Sequence, residues 1–180
     1  MKNDFLSPHF CLLEFTESPT ARKHGIANVP PPEAVENLKR LCEGTLEPLR
    51  EALQLPVVIT SGFRTKALND LLAHSSERSQ HMQGQAADFY VASPPSTGSG
   101  SGSASGAEES GLSRRELLIK AFRLIITREQ IDYDQLILYP SFIHVSYVSR
   151  ERNRRTILLG MRNGKLGYGK CSVQNALKIQ

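Results

Sequence analysis

The sequence predicts an α+β domain, with helices packed mainly on one face of an antiparallel sheet. Three observations lead there. One amphipathic run has helical period, several short β-branched runs are bounded by turn residues, and a second capped helix falls between them. The first run follows Pro30-Pro31-Pro32. Val35, Leu38, Leu41, Cys42, Leu46, Leu49 and Leu53 recur near 3.6 residues, and Pro32 suits a first helical position. Pro48 lies inside the pattern, where its ring would meet the Gly44 carbonyl, so a kink or break is expected. Pro56 to Thr60 reads as a short buried strand and Ser61-Gly62 as a turn. Thr65 is placed to cap a helix with Leu68, Leu71 and Leu72 on its apolar face.

Ala86 to Val91 reads as another strand. Ser93 to Gly111, SPPSTGSGSGSASGAEESG, has nothing to bury and reads as a flexible excursion within one domain spanning 1–180. Ser113 and Glu116 form a capping box opening a helix with Leu117, Leu118, Ala121, Leu124 and Ile125 inward. Gln135–Tyr139 and Phe142–Val148 are strands joined tightly at Pro140-Ser141. Thr156–Leu159 and Leu166–Tyr168 flank Asn163-Gly164, a strong hairpin signal.

Composition narrows the function classes. The chain has 180 residues, 39% of them hydrophobic and 22% charged, enough for one domain with a sizeable core. No apolar run is long enough to span a membrane, so no membrane insertion is expected. Met1 to Phe5 carries no apolar stretch of the secretory kind, so a cytosolic address is expected as synthesised. Cys11, Cys42 and Cys171 are too widely spaced for a disulfide framework. The net charge of +4 is compatible with an anionic partner. Arg150, Arg152, Arg154 and Arg155 read first as a solvated face, with contact to an acidic cell-wall polymer as the alternative. No stacking aromatics accompany them, so no nucleic acid is expected. A monomer is expected.

The chemistry concentrates in Ser79-Gln80-His81-Met82-Gln83-Gly84-Gln85-Ala86-Ala87-Asp88. On a strand from Ala86, Ala87, Phe89 and Val91 face a core, so Asp88 faces a cleft or solvent. In Phe142 to Tyr147, Ile143, Val145 and Tyr147 share one face, and His144 and Ser146 the other. Side by side, these strands could bring His81, Asp88 and His144 together. Two imidazoles and a carboxylate suit zinc and leave its fourth position open. The plain alternative is that each is a satisfied core or surface residue, since His9, His24 and His74 occur without such context.

Ser79-x-His81-x-x-Gly84-x-Ala86-x-Asp88, followed by His144-Val145-Ser146, resembles the zinc signature of the D-Ala-D-Ala carboxypeptidase and dipeptidase family, in the branch of D,D-carboxypeptidases and phage endolysins. Phe10 to Ala21, Gly25-Ile26 to Pro30, Leu46 to Arg50, Thr60-Ser61-Gly62-Phe63-Arg64-Thr65 and Asp134-Gln135-Leu136-Ile137 agree in order. The resemblance runs from about Leu6 to Tyr147. It implies a hedgehog/D,D-peptidase-like fold, Zn2+ held by His81, Asp88 and His144, and hydrolysis of peptidoglycan stem peptides, by a carboxypeptidase or an endolysin released to the wall. Arg64 would stabilise charge on the carbonyl oxygen and Ser79 would bind substrate, a structural ion pair and a turn serine being their alternatives. The family places an acidic general base about three residues before the last histidine, where this chain has Ser141. Glu14 and Asp134 are conceivable substitutes. A zinc-containing wall-binding module without turnover is the other function consistent with Ser141.

Overall fold

The computed structural model describes residues 4–73, 75–92, 112–162 and 165–179. The predicted excursion at 93–111, His74 and the Asn163-Gly164 turn lie outside the described residues. In chain order come β1 (Phe5–Ser7), β2 (Phe10–Cys11), α1 (Leu12–Thr16), α2 (Pro19–Lys23), α3 (Pro32–Leu41), a π-helical segment (Cys42–Leu46), α4 (Glu47–Leu53), β3 (Val57–Ser61) and α5 (Lys66–Leu71). A 3-10 turn (Gln80–Gln83), β4 (Ala86–Val91), α6 (Arg114–Thr127), β5 (Gln135–Leu138), β6 (Ile143–Ser146), β7 (Thr156–Arg162), β8 (Lys165–Lys170) and α7 (Val173–Ala176) follow.

The main sheet has strand order β3-β4-β6-β5-β7-β8, and β1 and β2 form a separate small ribbon. The chain is α+β, as predicted. Ala87, Phe89, Val91, Leu136, Leu138, Ile143 and Val145 are buried on one face of the sheet. They pack with Leu38, Leu41, Leu46, Leu49 and Leu53 from the first helical run and with Leu117, Leu118, Ala121, Phe122 and Ile125 from α6. Burying each Val, Leu, Ile or Phe side chain among them is worth about 1.5–3 kcal/mol, so this one-sided core fixes which strand face is left for chemistry.

Three expectations are corrected or refined. The sheet is not wholly antiparallel, because β5 and β7 run parallel. Both sides of β6 are taken by β4 and β5, so the chain leaving β6 must add to the far side of β5, starting from the end where β5 itself starts. The break at Pro48 takes the form of the wide π turn just before it. The Gly44 carbonyl, which has no N–H to accept from Pro48, accepts instead from the Asp132 N–H at 3.0 Å. The neighbouring Thr45 hydroxyl donates to the Asp132 carbonyl at 2.5 Å. Finally, Leu71 is 49% exposed rather than on a core face. The helix ends at that residue, so its apolar stripe is a single turn around buried Leu68.

Candidate metal centre and its cleft

Sheet register assembles most of the site. Ser61 pairs with Asp88, Asp88 with His144, His144 with Ile137, and Ile137 with Leu158. Directly opposed residues point to the same side of a sheet. This row therefore lies on the face away from the helical core, beside a cavity of about 1050 Å³ that Asp88, His144, Ile137 and Leu158 help to line.

His81 comes to the row from outside the sheet, on the 3-10 turn after Ser79. That turn closes at Gly84, where φ is +68°. A Cβ there would also sit 2.3 Å from the Ala34 carbonyl oxygen, so both conformation and space require glycine. His81 is buried, and its Nδ1 lies 2.6 Å from the Gly62 carbonyl. A carbonyl only accepts, so Nδ1 carries the proton and Nε2 offers a lone pair.

His81 Nε2 is 3.2 Å from His144 Nδ1 and 3.4 Å from Asp88 Oδ1. His144 Nδ1 is 2.8 Å from that same oxygen. Tetrahedral zinc with bonds of about 2.0–2.1 Å holds its ligand atoms about 3.3 Å apart. The two separations from His81 Nε2 meet that spacing, the His144–Asp88 pair sits closer at hydrogen-bond distance, and the N/N/O set is of the kind zinc takes. Among the described residues these three are the group of side chains able to hold a metal ion.

Electrostatics agree with the geometry. Burial would raise the Asp88 carboxyl, but the positive charge that a protonated His81 would set against it and the imidazole N–H groups it could accept from outweigh burial and hold the group far below the usual range. Burial lowers the basicity of His81, with Asp88 opposing, which favours the neutral imidazole that ligation requires. Arg64 reaches the site as expected. Its Nη2 lies 3.0 Å from Asp88 Oδ2, on the side of the carboxylate away from the imidazoles. Its Nε and Nη2 also donate to Ser61 Oγ, at 3.1 and 2.9 Å. Burial lowers the Arg64 pKa, partly offset by Asp88, and the guanidinium stays charged. Ser79 lines the cavity, and its hydroxyl makes no cap bond to the turn it precedes.

Neither substitute carboxylate is free. Glu14 is exposed and caps its own helix, accepting from the Cys11 N–H at 2.8 Å. Asp134 lines the cavity, but its oxygens accept from the Arg154 N–H and guanidinium and from Gln80 Nε2 at 2.9 Å. Burial opposes these donors, yet they hold its pKa below normal, which makes it a weak base. Ser141 is exposed at the turn after Tyr139.

Sequence reasoning missed the supports. Asn28 braces the Arg64 loop, donating to the Thr16 and Phe63 carbonyls and accepting from the Thr65 N–H, each at 2.9 Å. Gln80 ties the turn carrying His81 to Asp134. Tyr139 lines the cavity two residues along from Ile137. No residue pattern marks these roles, because each depends on which strand or loop becomes the neighbour.

A family model described as Peptidase M15 matches residues 8–122, more than half of the chain. The match includes Arg64, Ser79, His81 and Asp88 and ends before His144, which the sheet then brings to them. No curated protein matches the chain. Among the described residues no helix is long and apolar enough to cross a membrane. With the matched span and the His-Asp-His group gathered at one face of the sheet, the chain belongs to the M15 peptidases, the family of zinc D-Ala-D-Ala carboxypeptidase-like enzymes.

Proposed function

We propose that this protein hydrolyses the stem peptides of peptidoglycan as a zinc peptidase, of D,D-carboxypeptidase or lysin type. The observation that carries the reading is the convergence of His81 Nε2, His144 Nδ1 and Asp88 Oδ1 at 2.8–3.4 Å on the open face of the sheet. These residues would hold zinc, which when bound polarises a carbonyl and lowers the pKa of a water to about 7. Asp88 gives one oxygen to that set and the other to Arg64, so Arg64 fixes the carboxylate. Arg64 lines the cavity, and its Nη1, which these bonds leave unused, is suited to the substrate carbonyl oxygen. Ser79 offers a hydroxyl to the peptide backbone.

A second reading keeps the zinc and drops turnover, making the protein a wall-binding module. It is favoured by one observation: among the described residues that line the cavity, Asp88 and Asp134 are the carboxylates, and both are engaged. One experiment separates the two. Purified protein is assayed for zinc content and then incubated with peptidoglycan fragments, with products read by mass spectrometry. Metal-dependent release of D-alanine or shortened stems, lost with His81→Ala, supports the peptidase. Zinc-loaded protein that binds the wall and leaves every stem intact supports the module.

A further inference from the structure

The cleft carries a polar group that the metal-site residues do not account for. Tyr139 directly follows β5, and its N–H donates to the Phe142 carbonyl at 3.0 Å, extending the ladder with β6. It therefore shares a face with Ile137, and its position is diagonal to His144, the partner of Ile137. Diagonal neighbours lie about 7–8 Å apart, within the reach of an aromatic side chain.

The ring is boxed in. It stacks on Phe142 at 4.3 Å and 15°. On its other flank is Gly160 in β7, where a Cβ would come within 2.3 Å of the ring. Only a residue without a side chain leaves the ring in place. The Tyr139 and Tyr168 phenol oxygens lie 3.1 Å apart. One aromatic stack, a glycine and a hydroxyl thus fix the phenol in the cavity that His81, Asp88 and His144 also line.

We propose that Tyr139 is a catalytic residue, whose phenol O–H donates a hydrogen bond to the substrate oxygen as the scissile carbonyl becomes tetrahedral. Without substrate Tyr139 donates to the Tyr168 oxygen; hydroxyl protons rotate freely, so Tyr139 can turn its proton to the substrate while Tyr168 donates to the Tyr139 oxygen in its place. The proton stays on Tyr139 throughout. Burial, with Tyr168 and Asp88 beside it, pushes this phenol above its ordinary pKa, so it serves as a neutral donor and does not replace the missing base. A donor aimed where charge develops, in a partly dry cleft, favours the tetrahedral state over the planar one.

This assignment rests on the peptidase reading, and the test keeps the two apart. Zinc-loaded wild type and Tyr139→Phe are titrated calorimetrically with two probes, D-Ala-D-Ala and its phosphinate analogue, whose tetrahedral oxygens mimic the transition state. The variant keeps the ring, the stack and the glycine contact. It is expected to bind the phosphinate about 10–100-fold more weakly, as for loss of one hydrogen bond to a charged oxygen, and the dipeptide unchanged, with zinc content and Tm as in wild type. Gly160→Ala keeps the phenol but displaces it, and is expected to show the same selective loss. Equal phosphinate affinity in wild type and Tyr139→Phe, or equal loss of both probes, overturns the assignment while the peptidase reading stands. A wild type that takes up no zinc and binds neither probe overturns both.

Discussion

Gly84 shows how much a single position contributes to the site. Its positive φ closes the turn that carries His81, and its missing side chain lets that turn seat against the Ala34 carbonyl. Gly84→Ala is expected to destabilise the fold by about 1–3 kcal/mol and to weaken zinc binding, measured as a lower Tm and a higher zinc Kd. Residues with a chemical signature were legible at this scale: His81, Asp88 and His144 are metal-binding types in a family pattern, and Arg64 lies in another. Asn28 lies in the family-like pattern Gly25-Ile26-x-Asn28-x-Pro30, but nothing there marked it as a brace, and Tyr139 and Gln80 carried no signature. A tyrosine in an apolar strand reads as packing, and its partner Gly160 is identifiable only once β7 lies beside β5.

Elements were legible in proportion to their length. The α3–α4 run and α6 show clear periodicity, and β3 to β6 show alternation that the single core enforces. β1, β2, α1 and α2 have two to five residues each, too few for a period to appear. The parallel β5–β7 pair follows from which sheet edges remain open, and that is a property of the assembled sheet. The loop between β6 and β7 is anchored by two buried aspartates. Asp132 accepts from Arg155 Nε at 3.0 Å and Asn153 Nδ2 at 2.9 Å, and Asp134 accepts from Arg154. The folded Asp134 carboxyl titrates below its unfolded value. Its stabilisation is therefore present above about pH 4 and lost as pH falls through the folded value. Asp134→Asn is expected to cost about 2 kcal/mol at pH 7, with the gap to wild type closing in urea melts at lower pH.

Across the whole molecule, the modest surplus of +4 becomes informative once located. Arg64, Arg78, Arg152 and Arg154 line the same cavity as Asp88 and Asp134. Asp88 is paired with Arg64 and Asp134 with Arg154, and Arg78 and Arg152, both exposed and without an ion pair among the described residues, colour the mouth positive. An acidic peptide is the ligand such a mouth attracts. Replacing both by Gln is expected to raise the Kd for a stem peptide with free carboxylates about 3–10-fold at low salt, and to have little effect near 1 M. Amidated peptide should bind both proteins alike.

Asp88 and His144 stand 56 positions apart along the chain yet face each other across one ladder. Spacing along the chain and spacing in the site are therefore independent. Lengthening the connection that leaves β4 adds closure entropy only logarithmically, about 0.6 kcal/mol per doubling, and leaves the donor atoms where they are. One residue added inside β4 or β6 would instead turn a ligand to the opposite side of the sheet. Added length is thus tolerated where the chain passes from β4 to α6, and not inside the strands that carry the ligands.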